Sequence, residues 1–193
     1  MTNPGDESRG NTAALWREAA SFAARAHAGQ DRKDGVTPYA AHPTRVAMNV
    51  AVVFGCNDPA TLAIAFLHDT IEDCSTDYED LADAFGDEVT KGVAALTKDA
   101  ALPEAERERH AEARLRAGGW RPILVKLGDV LDNRADMTAR KGDARLTRLI
   151  ARKDWAVAAA RDEAERCGEP SSTLLRTAID RVEAYYAQAS DEG

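Results

Sequence analysis

Apolar residues spaced by threes and fours dominate this chain, and that spacing limits its fold more than any other feature. Leu15, Ala19, Phe22, Ala23 and Ala26 form one stripe along a helix. The pattern returns in Val46, Val50 and Val53, in Leu62 and Phe66, in Val89, Val93 and Leu96, and in Leu175, Ile179 and Val182. No sustained alternation of period two competes with it. "MNVAVVF" is rich in β-branched residues, but it sits among helix signals and lacks turn residues on its N-terminal side. The expected class is all-α, a helical bundle. With 193 residues the chain can bury a core without disulfides or structural metal.

Punctuation places the elements. "QDRKDGVTPYAAHP" holds Asp34-Gly35 and two prolines, so 30–42 is a loop, and Pro43 opens a helix that runs to Gly55. Asp58-Pro59 reads as cap and first residue of a third helix, extending through residue 73. In Thr76-Asp77-Tyr78-Glu79, Thr76 and Glu79 fit a capping box, and that helix runs to Phe85-Gly86. Gly118-Gly119 breaks the chain before a helix opened by Pro122. Two further helices, about 144–167 and 172–187, are separated by Gly168 and Pro170. Residues 1–10 are polar and read as a mobile tail. Residues 11–193 read as one domain on which the helices of 144–187 pack, and the Leu175 stripe leaves a homo-oligomer open.

Charge and cysteine usage exclude several classes. The net charge is −8, which disfavours a nucleic-acid polymer as partner, because neutralising phosphates requires clustered Lys and Arg. No apolar stretch is long enough for a membrane span. Cys56, Cys74 and Cys167 form no CxxC pair, so a reducing cytoplasm is expected.

The chemistry concentrates in "AFLHDTIEDCST", residues 65–76. His68, Asp69, Glu72 and Asp73 follow an apolar run. Read as one helix, His68 and Glu72 lie four apart, as do Asp69 and Asp73, so two adjacent faces turn polar. A divalent cation explains such a cluster, because it binds imidazole and carboxylate and offsets repulsion among the acids. His42 in "YAAHP" and Asp129 in "VKLGDVLDN" are further candidate ligands from separate helices. A mixed nitrogen and oxygen set suits Mn²⁺ or Fe better than Mg²⁺ or Zn²⁺. Glu72 and Asp73 would then orient or deprotonate a water.

Four motifs, "HAGQDRKDGVTPYAAHP", "LHDTIED", "FGDEVTKGVAALTK" and "LVKLGDVLDN", occur in one order. Together they resemble the HD-domain hydrolases of the RelA/SpoT type, above all the stand-alone small alarmone hydrolases, metazoan ones included. The resemblance covers roughly residues 14–137. It implies an HD-domain fold and His42, His68, Asp69 and Asp129 as ligands of Mn²⁺. It also implies Glu72 and Asp73 as the catalytic acidic pair, and Arg32, Lys33 and Asn133 as substrate-binding residues. The implied reaction removes the 3′-diphosphate of (p)ppGpp to give GDP or GTP and pyrophosphate.

The last motif departs from the family pattern. Val130 and Ala135 stand where basic residues are usual, Asp132 adds a negative charge, and Gly128 replaces an alanine. These changes are expected to weaken the phosphate-facing charge. Alternative substrates are therefore an adenine alarmone, another 3′-phosphorylated nucleotide or NADPH. A non-catalytic nucleotide-binding HD protein is the remaining alternative.

Overall fold

The computed structural model describes residues 4–137 and 144–191. Among them the regular structure is helical, with one isolated bridge between Asp31 and Pro38 in the loop after the first helix. In chain order the α-helices are α1 (Pro4–Ala26), α2 (Ala41–Met48), α3 (Pro59–Leu67), α4 (Thr70–Asp73) and α5 (Tyr78–Leu96). They continue with α6 (Glu104–Ala117), α7 (Trp120–Ala135), α8 (Ala144–Arg166) and α9 (Ser171–Asp191). Residues 4–10, expected as part of a tail, belong to α1, and residues 1–3 lie outside the described ones.

Two helices form the centre. α3 packs against α1, α2, α5 and α7, which is why it is apolar all round and buries Ala60, Ala63, Ile64, Ala65 and Leu67. α7 packs against α2, α3, α5, α8 and α9 and is buried without a break from Pro122 to Val125 and again from Leu127 to Asp132. α8 and α9 join the same core through Leu149, Val157, Leu175 and Val182. The Tyr186 hydroxyl donates to the carbonyl of Val130 at 3.0 Å.

The β-branched "MNVAVVF" is helical. α2 passes into a π-helical turn, Asn49–Val53, where the Phe54 amide reaches back to Asn49 O at 3.0 Å. Val50 is fully buried while Val52 is 69% exposed.

Two local expectations are corrected. The capping box at α5 is built from Asp77 and Asp80, one position later than Thr76 and Glu79. The Asp80 amide donates to Asp77 Oδ1, and the Asp77 amide donates to Asp80 Oδ2. Both pairs have the required spacing, and Asp77 has the extended backbone of a cap (φ −110°, ψ −178°). α5 is also kinked at Gly86, whose φ of 76° only glycine adopts readily.

The second correction concerns the helix expected through residue 73. α3 stops at Leu67, His68 and Asp69 form a turn, and α4 starts at Thr70. Side chains end the helix by satisfying its last carbonyls. His68 Nδ1 donates to Ala65 O at 2.9 Å, and Thr70 Oγ1 donates to Leu67 O at 2.7 Å.

Candidate active site

The turn between α3 and α4 aims His68 and Asp69 at α2 and α7. His42, in the first turn of α2, points Nε2 to 3.4 Å from Asp69 Oδ2 and 3.3 Å from Asp129 Oδ1. His68 Nε2 lies 3.1 Å from Asp69 Oδ1 and 3.9 Å from Asp129 Oδ1. Two imidazoles and two carboxylates from three parts of the chain therefore converge on one point. His42, His68 and Asp69 place one ligand atom each within 4.8 Å of one another.

The residues fit a divalent cation on their own chemistry. His68 Nε2 is buried and has no hydrogen-bond partner, although its other nitrogen is spoken for by Ala65 O. An orphaned buried nitrogen beside two carboxylates is a nitrogen waiting for a Lewis acid. Protonation shows the same demand. Burial opposes a charge on His42, but its hydrogen bonds to the carboxylates of Asp129, Asp132 and Asp69 outweigh it and push its pKa up to about 11. Burial likewise opposes Asp129, yet Lys126 and the two histidines hold its carboxyl well below the usual range. Without a cation, protons and Lys126 carry the compensating positive charge. Lys126 Nζ donates to Asp129 Oδ2 at 2.7 Å.

Glu72 and Asp73 stand on α4, beside this cluster. The Lys98 amide donates to Glu72 Oε2 at 3.1 Å. Burial raises the Glu72 pKa, helped by Asp69 and Asp73 and opposed by Lys98. A residue that sequence reasoning passed over, Tyr39, ties the two acidic groups together. Its single hydroxyl lies 2.8 Å from Asp69 Oδ2 and 2.9 Å from Asp73 Oδ2, so two carboxylates share one donor. Burial and both acids push its pKa up. Its place three residues before His42 was the only available signal.

Asn133, one turn beyond Asp129, connects the cluster to a cleft. Its Nδ2 donates to Asp129 Oδ1, and its Oδ1 accepts from Arg32 Nη2 at 3.3 Å. The cleft encloses about 550 Å³ and is lined by Arg32, Lys33 and Asn133 together with Arg145, Arg148 and Arg152 of α8. These three arginines went unnoticed in the sequence, because nothing local brings α8 beside the 30–42 loop.

Two of the four departures in the last motif, Val130 and Asp132, are not where the sequence suggested. Val130 is 1% exposed and belongs to the core, and its backbone carbonyl accepts from Tyr186 of α9. Asp132 is 3% exposed and faces His42 and Arg45. It adds no negative charge to the cleft. Cys74, by contrast, sits at 3.2 Å from His27 Nδ1. Burial and Asp73 raise its pKa, in keeping with an unreactive thiol. His110 is exposed.

The family model for the HD domain matches residues 19–160, the stretch that contains all four ligand candidates. The chain belongs to the HD-domain family. Membership in this family implies a divalent metal. The chain is 42% identical over 126 residues to guanosine-3′,5′-bis(diphosphate) 3′-pyrophosphohydrolase MESH1 of Xenopus tropicalis, covering 65% of this chain and 70% of that protein. It is 40% identical over 129 residues to the human protein of the same name, covering 66% and 72%. Among solved structures it is similar to one described as a metazoan orthologue of SpoT that hydrolyses ppGpp. That match has a TM-score of 0.68 at 28% identity and covers 88% of this chain and 93% of the other. The expected all-α HD fold and RelA/SpoT-type family are thus shown. No described helix is long and apolar enough to cross a membrane.

Proposed function

We propose that this HD-domain protein is a divalent-metal-dependent hydrolase that removes the 3′-diphosphate from (p)ppGpp, yielding GDP or GTP and pyrophosphate. The observation that carries this reading is the continuity, through Asn133, between the His/Asp cluster and an arginine-rich cleft. The cluster suits attack on a phosphoester, and the cleft suits a small ligand with several phosphate groups. Relatives named for this reaction support it.

His42, His68, Asp69 and Asp129 are the residues we assign to the ion, and Mn²⁺ is the ion we assign. Once bound, a divalent cation supplies Lewis acidity and lowers the pKa of a coordinated water. Glu72 is the group we assign to take or return a proton, because burial raises its pKa above that of an ordinary carboxyl and it stands beside the cluster. Asp73 shares the Tyr39 hydroxyl with Asp69 and so holds its carboxylate toward the same point. Arg32 is fixed before any ligand arrives. Its guanidinium donates to Asp136 Oδ2 at 3.0 Å and to Asn133, and it lies 5.4 Å from the centre of the Tyr39 ring. Arg32, Lys33 and Asn133 are the substrate-binding residues we assign, with the α8 arginines adding the charge that Val130 and Ala135 do not. A reducing cytoplasm accords with the free Cys56, Cys74 and Cys167.

The test is a panel of ppGpp, pppGpp, an adenine alarmone, a 3′-phosphorylated nucleotide and NADPH, each with Mn²⁺, scored by whether pyrophosphate or phosphate leaves. The expected result is pyrophosphate from ppGpp, with the highest kcat/KM of the panel. Preference for NADPH or absence of turnover overturns the assignment.

A further inference from the structure

Asp132 lies one turn beyond Asp129 on α7, yet its carboxylate turns away from the cleft. Its Oδ2 accepts from His42 Nδ1 at 2.7 Å. That is the opposite edge of the imidazole from Nε2, which faces Asp69 and Asp129. Arg45, one turn after His42 on α2, closes on the same carboxylate. Its Nε donates to Asp132 Oδ1 at 2.6 Å and its Nη2 to Oδ2 at 3.1 Å. Arg45 Nη2 also reaches Asp136 Oδ2 at 2.7 Å, the carboxylate that anchors Arg32. His42 and Asp132 are 1% and 3% exposed.

Burying a carboxylate is costly unless its oxygens are fully engaged, and here both are. Neither Asp132 nor Arg45 lines the cleft, so substrate contact does not account for the pair. The chemistry of imidazole does. A neutral histidine offers one lone pair, and the other nitrogen must keep its proton and find an acceptor. A carboxylate on that second nitrogen fixes the tautomer, sets the ring plane and makes the free nitrogen a better donor.

We propose that Asp132, clamped by Arg45, is a positioning residue for His42, holding the ring so that Nε2 presents its lone pair to a divalent cation. The substitution in the last motif that looked like a loss for the phosphate site is thereby a gain for the ligand set. The inference rests on the assignment of His42 as a ligand, and the experiment separates the two.

Free Mn²⁺ is followed by its electron paramagnetic resonance signal during titration of the wild type, Asp132→Asn, Asp132→Leu and Arg45→Met. Asp132→Leu removes the acceptor and is expected to weaken Mn²⁺ binding by about 10–100-fold, the usual range for an outer-sphere partner of a histidine ligand. Asp132→Asn keeps shape and an acceptor but no charge, so a smaller loss is expected. Arg45→Met frees the carboxylate to move and is expected to fall between. In Asp132→Asn, raising Mn²⁺ is expected to restore turnover, which a damaged fold would not allow. Melting of the metal-free proteins identifies any variant that fails to fold, and Asp132→Asn and Arg45→Met decide the outcome if Asp132→Leu does. Wild-type affinity in Asp132→Asn and Arg45→Met, or turnover of Asp132→Asn that excess Mn²⁺ leaves depressed, overturns the positioning role and leaves the metal assignment standing. A wild type that takes up no Mn²⁺ overturns both.

Discussion

At the scale of single residues, His68 carries two duties that meet in one ring. Nδ1 ends α3 by donating to Ala65 O, and Nε2 is left buried beside Asp69 and Asp129 without a hydrogen-bond partner. Removing the ring should therefore abolish tight metal binding. His68→Ala is expected to weaken Mn²⁺ affinity beyond the roughly 10–100-fold of an outer-sphere change, read by elemental analysis after gel filtration. Retention of equimolar metal would contradict this. A proton effect accompanies it. Hydrogen bonds to Asp129, Asp132 and Asp69 raise the His42 pKa against the effect of burial, so a cation must displace a proton from the ring. Metal affinity is expected to fall as pH falls, with protons released on binding. Calorimetry in two buffers of different ionisation enthalpy measures that release, and identical heats would refute it.

Elements deliver these residues to one another, and α3 is the critical one. Asp58 caps it, accepting from the Thr61 amide at 2.9 Å and from Arg121 Nε at 2.8 Å. Asp58→Ala is expected to lower stability by about 0.5–2 kcal/mol in denaturant titration. Burial opposes the charge on Asp58, but Arg121 and Thr61 hold its pKa below 3.8. A depressed folded pKa means the stabilisation is present above the unfolded value and is lost as pH falls through the folded one. The difference between wild type and Asp58→Ala should therefore shrink only in acid, and a constant difference down to pH ~2 would argue against the cap. α5 reaches α3 across Gly92, where an added Cβ would run into the Ile64 side chain at Cδ1. Gly92→Ala is expected to destabilise by about 1–3 kcal/mol through overpacking. An unchanged melting temperature would show that Ile64 can move aside.

In the whole molecule, α8 and α9 belong to the same core as the helices that hold the site. α7 touches both and also α2 and α3, so loosening α9 should loosen the cluster. Leu175 is fully buried, and Leu175→Ala is expected to cost about 2–5 kcal/mol. Unfolding followed by tryptophan fluorescence and by far-ultraviolet circular dichroism should coincide in one transition. Two separate transitions would mean that α8 and α9 form a unit of their own. The same architecture places Arg145, Arg148 and Arg152 opposite Arg32 and Lys33. A basic cleft thus exists in a chain whose net charge is −8.

Periodicity alone set the all-α class and most helix positions, because a buried face repeats every turn wherever the helix packs. Local chemistry also marked Asp58-Pro59 as a helix start and Gly86 and Gly118-Gly119 as breaks, since caps and the positive φ of Gly86 and Gly119 are decided within a few residues. The four motifs fixed the family. Other features were beyond local reading. The break after Leu67 depends on side chains of His68 and Thr70 folding back on α3. The pairing of Asp132 with His42 spans ninety residues of chain, and the approach of α8 to the 30–42 loop spans still more. A residue's charge is visible in sequence, but its partner is not, because direction and burial come from packing. Val130 and Asp132 looked like damage to a phosphate site, and the packing of α7 between α2 and α9 put one in the core and the other behind His42.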